Sequence, residues 1–440
     1  MKFENTSMVF PKEPPKPIAK PKHGEEVHPN SLWFLHDPAI FRDPVSKDYY
    51  VYCTHRVGKK SKDLITWEPV KGFIESIPED AKAHVGTDQI WAPDIVKVGD
   101  EYRLYCSNSS FGVRKSAIYL AVSDKPEGPF EAKGCVVKTS EEDDAHVNAI
   151  DANIIEDVRS GKQYMVYGSF WKGVNIIELD KETGFAKEEG WGKNIATRPG
   201  YVSGAIEGPY IIYNPETDYY YLFVSYGSLS SDYNIRVGRS KDVLGPYVDA
   251  NGRSMTDLED YDNEVGHMIV CGYHFEGCQG YMGPGHNSVL HDEDGKWYMV
   301  CHIREHDFVH GQVSKMHIYQ MYWTPDGWPV ISPEVYAGES IQKVDVKLIP
   351  GRYDRIKMIK TTPQGVLNSF PMILNEDGSL IMSLTHGNWE MIDDTTMKIT
   401  YGKTVETVKV APAWDWERNE PTLIFTGKDE KNICVFGKKV

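Results

Sequence analysis

Four residues with ionisable side chains, and one alanine, lead five copies of one sequence pattern. In each copy a short apolar run, a turn and an aromatic-rich run follow the leading residue in that order. The leading residues are Asp37, Ala92, Asp151, Glu207 and His286, at spacings of 55, 59, 56 and 79 residues. Three of the five are carboxylic acids. A purely structural repeat would not place charges at an interior position, because buried and isolated charges are costly.

Three carboxyl groups that converge on one axis are suited to the cleavage of glycosidic bonds. One carboxyl must stay protonated to donate to the leaving oxygen, and another must be ionised to activate water or attack carbon. A third, nearby, raises the pKa of the donor by like-charge repulsion. The residues alone leave His286 with three roles: binding a metal, orienting a carboxylate, or forming an ordinary hydrogen bond in the channel.

The elements that position these residues are predicted to be β-hairpins. The turns contain Gly, Asn, Asp or Pro, and a further strand pattern follows several hairpins, such as Ala117-IYLAVS. Five units of four strands predict an all-β protein with a five-bladed β-propeller over residues 31–340, whose innermost strands line a central channel. Residues 345–440 predict a small antiparallel β-barrel or sandwich. Residues 1–30, rich in Pro and Lys, predict an extended lead-in.

The composition excludes several classes of partner. The 440 residues include 48 Lys and Arg against 64 Asp and Glu, a net charge of −16, which argues against binding nucleic acid or an anionic membrane. Seven cysteines without a CxxC pair predict free thiols rather than a metal site. The start, MKFENTSMVF, lacks the apolar core of a signal peptide. A cytoplasmic protein and a secreted protein whose signal was removed therefore both stay open, as does the oligomeric state.

Five motifs resemble glycoside hydrolase family 43. They are Leu35-HDPAI, Ala149-IDANII, Tyr167-GSFW, Ala205-IEGPYI and Gly283-PGHNSV, and within the family they are most similar to the arabinanases that cleave α-1,5-linked L-arabinan. The C-terminal region also resembles a small β-domain of some members. The resemblance implies hydrolysis with inversion, with Asp37 as general base, Glu207 as general acid, and Asp151 tuning the pKa of the acid and orienting the substrate. It implies that His286 contacts a channel cation, commonly calcium, largely through water.

The same resemblance suggests residues that contact sugar. Trp91, Phe170 and Trp171 supply flat rings that can cover a sugar face, and Ser169 lies in the same motif as the last two. Phe111 and Arg304, in Cys301-HIR, complete the predicted substrate-binding set. Two positions depart from the family pattern: Ala152 stands where Pro is expected, and Lys172 stands where Gly is expected and places a cation near the cleft.

The sequence favours an endo-acting arabinanase but leaves other functions open. An exo-acting arabinanase, or a family-43 α-L-arabinofuranosidase or β-xylosidase, would share the three carboxylates. A carbohydrate-binding propeller without catalysis is a remote alternative. Residues 255–282 form a long insertion, and folding over the channel mouth would favour exo action. His302, His306 and His310 are spaced four apart in a predicted strand and loop, which indicates packed or exposed histidines rather than a helical metal site.

Overall fold

Each predicted hairpin forms two neighbouring antiparallel strands of one sheet, and the five sheets are the blades of a five-bladed propeller. Four of these sheets have four strands and the fifth has six. The computed structural model describes residues 3, 6–14, 31–306 and 313–440, so His310 and most of the predicted lead-in lie outside the described residues. The strands of the first four blades follow sequence order. They are β1 (Ala39–Arg42), β2 (Tyr49–Cys53), β3 (Val57–Ser61) and β4 (Glu68–Val70); β5 (Trp91–Val98), β6 (Glu101–Asn108), β7 (Ser116–Ser123) and β8 (Glu131–Thr139); β9 (Asn153–Glu156), β10 (Gln163–Tyr167), β11 (Val174–Leu179) and β12 (Lys193–Ala196); and β13 (Ile206–Asn214), β14 (Tyr219–Tyr226), β15 (Asn234–Ser240) and β16 (His267–Val270).

The fifth blade is longer and closes the ring. Its strands are β17 (Tyr273–His274), β18 (Tyr281–His291), β19 (Trp297–Glu305), β20 (Lys315–Trp323) and β21 (Pro329–Val335). The segment before blade one pairs with the start of β20: Trp33 forms a bridge with Lys315, and the Phe34 N–H donates to the Ser314 carbonyl over 2.8 Å. The chain ahead of blade one is thereby fixed to blade five.

Helices are short and few in the described residues. They comprise the α-helix α1 (Glu79–Val85) and three 3₁₀ turns, Thr54–Arg56, Gly200–Val202 and Val346–Leu348. None of these helices has the length or the apolar content needed to cross a membrane. The predicted all-β class is therefore confirmed.

Polar side chains two residues after the leading position lock the register between inner strands. Ser288 Oγ accepts the N–H of Ile40 over 3.0 Å, and Asp94 Oδ2 accepts the N–H of Ile154 over 2.7 Å. Asn153 repeats this contact in the next blade. Burial raises the pKa of Asp94 to about 7. Three of the five pairs of neighbouring inner strands are thus tied at the same height, which helps to place the leading residues around one axis.

The C-terminal domain is a closed antiparallel barrel of eight strands, one of the two predicted forms. Its strands are β22 (Gly351–Lys357), β24 (Phe370–Leu374), β25 (Ser379–Met382), β26 (Thr385–Met391), β27 (Thr396–Tyr401), β28 (Thr404–Asp415), β29 (Glu420–Asp429) and β30 (Cys434–Lys439). The remaining strand, β23 (Leu367–Asn368), leaves the barrel and pairs with β17 of blade five. Within residues 1–30, Met8 is buried in the barrel core.

A buried ionic cluster joins the barrel to the propeller. Lys438 of β30 contacts Glu334 of blade five over 2.7 Å and Asp415 of β28 over 3.1 Å. Trp416 donates its indole N–H to the carbonyl of Val335 over 2.7 Å. Burying charges is costly unless they are paired in good geometry, so this cluster favours one orientation of the two domains. All seven cysteines are free, as predicted.

Candidate active site

The leading residues of the repeat share an unusual backbone conformation. Asp37, Ala92, Asp151 and His286 have φ values of 53°, 37°, 63° and 47°. In the fourth blade the positive φ, 57°, falls on Gly208, the residue after Glu207. Positive φ is unfavourable for residues other than glycine, and strained positions of this kind cluster at functional sites. Its recurrence at one repeat position marks the channel as the candidate site.

A second column of polar residues supports this strained backbone. The N–H of Ala92 donates to Thr54 Oγ1 over 2.9 Å, that of Asp151 to Ser107 Oγ over 3.0 Å, and that of His286 to Ser225 Oγ over 2.7 Å. The N–H of Asp37 donates to His302 Nδ1 over 3.2 Å. Thr54 directly follows the second strand of the preceding blade, Ser107 and Ser225 are next to last in theirs, and His302 lies in the second half of β19. The second strands therefore position the residues of the next blade that could perform chemistry.

Asp37 lies among imidazoles and is held as a carboxylate. Its Oδ2 accepts the Thr54 hydroxyl over 2.5 Å, and its Oδ1 lies 3.1 Å from His286 Nδ1 and 3.4 Å from His36 Nε2. Burial alone would raise the pKa of Asp37, but the positive charge available on His286 and His36 outweighs it and holds the pKa well below its usual range. Asp37 is thus ionised at neutral pH.

Glu207 and Asp151 form a buried pair with raised pKa values. Glu207 Oε1 accepts the Tyr233 hydroxyl over 2.7 Å, and Oε2 accepts the Ser169 hydroxyl over 2.9 Å. Burial raises the pKa of Glu207, and these two hydrogen bonds offset part of that rise. Asp151 Oδ2 accepts the N–H of Gly208 over 3.1 Å, and burial together with repulsion from Glu207 raises the pKa of Asp151 to about 7. The raised pKa values favour a shared proton on the Glu207–Asp151 pair at a pH at which Asp37 is ionised.

His286 is linked electrostatically to all three carboxyl groups. Burial lowers the pKa of its imidazole, but Asp37, Asp151 and Glu207 outweigh burial and raise the pKa above its ordinary value. Since Nδ1 faces Asp37, Nε2 is the ring nitrogen left for a ligand, and it has no hydrogen-bond partner among the described residues. Calcium takes six to eight oxygen ligands. His286 therefore fits a cation that keeps most of its water and does not fit one held wholly by protein.

A different cluster has the donor set of a transition-metal site. His36, Asp37 and His302 each place one ligand atom within 4.8 Å of the others. Two imidazoles and a carboxylate are ligands typical of zinc rather than of calcium. His302 is buried and its ring stacks on that of His36 at 4.1 Å, in agreement with the predicted packed histidine. His306 is partly buried at the end of the same strand.

The channel opens into a cavity of about 830 Å³ that contains the three carboxylates and His286. Of the residues predicted to contact sugar, five line this cavity: Trp91, Phe111, Ser169, Phe170 and Trp171. Phe111 is 89% exposed and Trp171 is 40% exposed, so both rings are available at the rim. Of the insertion 255–282, only Asn263 is among the described residues that line the cavity. The insertion consists of loops together with β16, β17 and the start of β18, and it does not close the mouth.

Two predicted positions lie outside this cavity. Arg304 is buried, and its guanidinium group interacts electrostatically with Tyr233 and Asp37. It is not among the described residues that line the cavity. Lys172 lines an adjoining cavity of about 630 Å³, which shares Trp171, Arg198 and Ser203 with the first. The side chain of Lys172, the residue that departs from the family pattern, thus lies beside the cleft rather than in it.

Several site residues were not predicted from the sequence. They contact the carboxyl groups or accept the backbone N–H of a leading residue, and they are His36, Thr54, Ser107, Ser225, Tyr233 and His302. His36 directly precedes Asp37 in a quoted motif. The hydroxyl residues follow the aromatic-rich run of each repeat, where an extension of the repeat alignment finds them.

Comparison with known proteins agrees with this geometry. Residues 27–329 match the glycosyl hydrolases family 43, and residues 333–437 match a C-terminal lipocalin-like domain. An extracellular endo-α-(1→5)-L-arabinanase of Thermotoga petrophila is 34% identical, in an alignment that covers 94% of this chain and 96% of the relative. The extracellular endo-α-(1→5)-L-arabinanase 2 of Bacillus subtilis is 32% identical, with 92% of each chain covered. The crystal structure of the Thermotoga petrophila endo-1,5-α-L-arabinanase in complex with Tris superposes with a TM-score of 0.84 at 31% identity, over 93% of this chain and 98% of that one.

Proposed function

The chain belongs to glycosyl hydrolases family 43, and we propose that it cleaves internal α-1,5 bonds of L-arabinan with inversion. The observation on which this rests is the convergence of Asp37, Asp151 and Glu207 in one cavity, with the pKa of the first lowered and those of the others raised. A carbohydrate-binding propeller without catalysis would need no such matched pair. The two relatives named extracellular endo-arabinanases favour a secreted, endo-acting enzyme.

Asp37 is the proposed general base. An inverting glycosidase needs an ionised carboxylate that takes a proton from the attacking water. The imidazoles of His286 and His36 keep Asp37 ionised, and Thr54 occupies its Oδ2. The carboxylate of Asp37 is proposed to orient the water on the face of the sugar opposite the leaving group.

Glu207 is the proposed general acid, and Asp151 is its partner. Glu207 must be protonated when the substrate binds so that it can donate to the leaving oxygen. Burial and the negative charge of Asp37 raise the pKa of Glu207 and favour that protonated form, while Ser169 and Tyr233 fix the orientation of the side chain. Asp151, whose own pKa is raised by burial and by Glu207, is proposed to add to this repulsion when it is ionised. The exposed rings of Phe111 and Trp171 then supply apolar surface for the sugar chain at the rim.

A hydrated cation, calcium or another hard ion, is proposed beside His286. Nε2 of His286 would be the protein ligand and water would fill the other positions. The bound ion would supply positive charge in a channel that contains three carboxyl groups. Nε2 can bind the ion only when the imidazole is neutral. Nδ1–H would then donate to Asp37, and the charge of the ion would take the place of the charge of the imidazolium.

Removing the cation should lower activity and thermal midpoint together. A ligand that binds only the folded state stabilises that state, so exhaustive chelation withdraws its stabilisation. Added calcium should restore both properties in the wild type, and the variant His286→Ala should be insensitive to chelator and calcium alike. Initial rates and calorimetric melting measure these effects. If chelation changes neither property of the wild type, the proposed cation is absent.

Product analysis tests the proposed substrate and mode of cleavage. Linear arabinan should yield a ladder of oligosaccharides from the first minutes, because the cavity mouth is not closed by the 255–282 insertion. Xylan should remain intact. Arabinose alone, or a single short oligomer, would establish exo action instead. Cleavage of xylan in place of arabinan would establish the xylosidase alternative, and no cleavage of either polymer would leave a binding protein.

A further inference from the structure

We propose that the barrel domain takes part in substrate binding through residues 358–366, here called the strap, which supply Thr362 and Gln364 to the wall of the active-site cavity. Both residues line the same 830 Å³ cavity as Asp37 and Glu207. The strap lies within the residues matched to the C-terminal domain, 333–437, and outside those matched to the family-43 domain. The inference rests on the proposed function, because it takes the bound polymer to be arabinan.

The far end of the strap is anchored to blade five by strand pairing. The strap runs into β23, which pairs in parallel with β17. The Leu367 N–H donates to the Gly272 carbonyl, and the Ser369 N–H donates to the His274 carbonyl, both over 2.9 Å. The Asn368 and His274 side chains add a hydrogen bond of 2.9 Å. The domain that carries the strap is therefore fixed to the blade that carries His286.

The strap is also held at Met358, where it leaves the barrel, and at Gly365 and Val366, which lie close to Gly272. At its start, the Met358 N–H donates to the Cys434 carbonyl over 2.8 Å, inside the barrel sheet. Near its end it lies against Gly272, where an added Cβ would approach Val366 Cγ1 to 3.1 Å and the Gly365 carbonyl to 3.3 Å. A side chain at position 272 would push the strap away. With both ends fixed, Thr362 and Gln364 are held in place over the cavity.

The two side chains have the chemistry of sugar recognition. The Thr362 hydroxyl is buried and has no hydrogen-bond partner among the described residues, although it borders the cavity. Buried polar groups in folded proteins are nearly always paired, so this hydroxyl needs a ligand or a water. Gln364 is exposed at the rim and offers an amide donor and acceptor. Both match the hydroxyl groups of a pentose chain and neither favours a charged ligand.

Steady-state kinetics of the full-length enzyme test this inference. The variants are Gln364→Ala, Thr362→Val and their combination, with Thr361→Ala as the matched control, since Thr361 is exposed on the strap and is not among the described residues that line the cavity. The double variant should raise KM for linear arabinan about 3- to 10-fold, the effect of losing one or two neutral hydrogen bonds. Its kcat should stay within about twofold, because the strap does not touch the reacting atoms. The thermal midpoints of all variants should match the wild type.

Calorimetric titration with α-1,5-linked arabinohexaose in an Asp37→Ala background gives a second readout that needs no hydrolysis. The double variant should weaken binding by the same factor as it raises KM. Unchanged KM and unchanged binding in an active enzyme would overturn the role of the strap and leave the proposed function intact. An equal effect of Thr361→Ala, or a lowered thermal midpoint, would overturn it as well, because the effect would then be structural. A wild type that cleaves no arabinan would instead remove the proposed function, and the titration would still show whether the strap binds the oligosaccharide.

Discussion

Replacing Asp37 by Ala should lower kcat on arabinan by at least about 10²-fold, the smaller end of general acid–base contributions, and more if no other group orients the water. The reason is that the carboxylate of Asp37 is proposed to accept the proton of water, and Ala has no acceptor. The variant Asp37→Asn should lose as much activity, because the amide keeps the shape of the carboxylate but not its basicity. Initial rates on linear arabinan measure the loss.

The folding of Asp37→Ala and Asp37→Asn, and their binding of arabino-oligosaccharides, should be nearly unchanged. Asp48→Ala is a suitable control, because Asp48 lies in the β1–β2 turn of the same blade and does not line the cavity. It should retain wild-type rates. Substantial hydrolysis by Asp37→Ala, or a product that retains the anomeric configuration of the substrate, would contradict both the assignment of the base and the inverting mechanism.

Replacing Glu207 by Gln should also lower activity on arabinan by at least about 10²-fold, since the amide cannot donate a proton to the leaving oxygen. The pH dependence gives a second signature. Wild-type activity should fall as the pH rises through the raised pKa of the Glu207–Asp151 pair, because the acid form is lost. It should persist well into the acid range, because the lowered pKa of Asp37 keeps the base ionised there. The residual activity of Glu207→Gln should not decline on the alkaline side.

Glu216→Gln is the matched control for this variant. Glu216 is exposed in the turn between β13 and β14 of the same blade. It should keep both the rate and the alkaline decline of the wild type. If Glu207→Gln retained the full alkaline decline, the group that titrates there would be another residue, and Glu207 would not be the acid.

The repeat predicted the propeller and the positions of the three carboxylates because each blade is a local unit. A hairpin of short apolar runs and turns is specified by neighbouring residues, so five aligned copies predict five blades. The same alignment contains the supporting column. Thr54, Ser107, Ser169, Ser225 and His302 stand 15 to 18 residues after their leading residues. In the sequence each is an ordinary polar residue near a strand end. Its role in holding a leading residue is visible only in the hydrogen bonds between blades.

Contacts between distant segments were not predictable in the same way. The strap depends on a parallel pairing of two residues in β23 with two in β17, nearly a hundred positions apart, and such a short pairing leaves no sequence pattern. Tyr233, which donates to Glu207, follows a polar loop with no periodic signal. Spacing alone does not distinguish a lid from extra strands, so the length of the insertion 255–282 leaves open whether it covers the channel mouth. In the structure it consists of loops with β16, β17 and the start of β18.

The central claim is that Glu207 gives a proton to the leaving group and Asp37 takes one from water. The most direct test compares Glu207→Gln and Asp37→Ala on linear arabinan and on a 4-nitrophenyl glycoside of an α-1,5-arabino-oligosaccharide, whose leaving group needs no protonation. The account predicts that Glu207→Gln recovers much of its activity on the aryl glycoside, whereas Asp37→Ala remains inactive on both substrates. Equal losses for Glu207→Gln on the two substrates, or recovery of Asp37→Ala on the aryl glycoside, would contradict it.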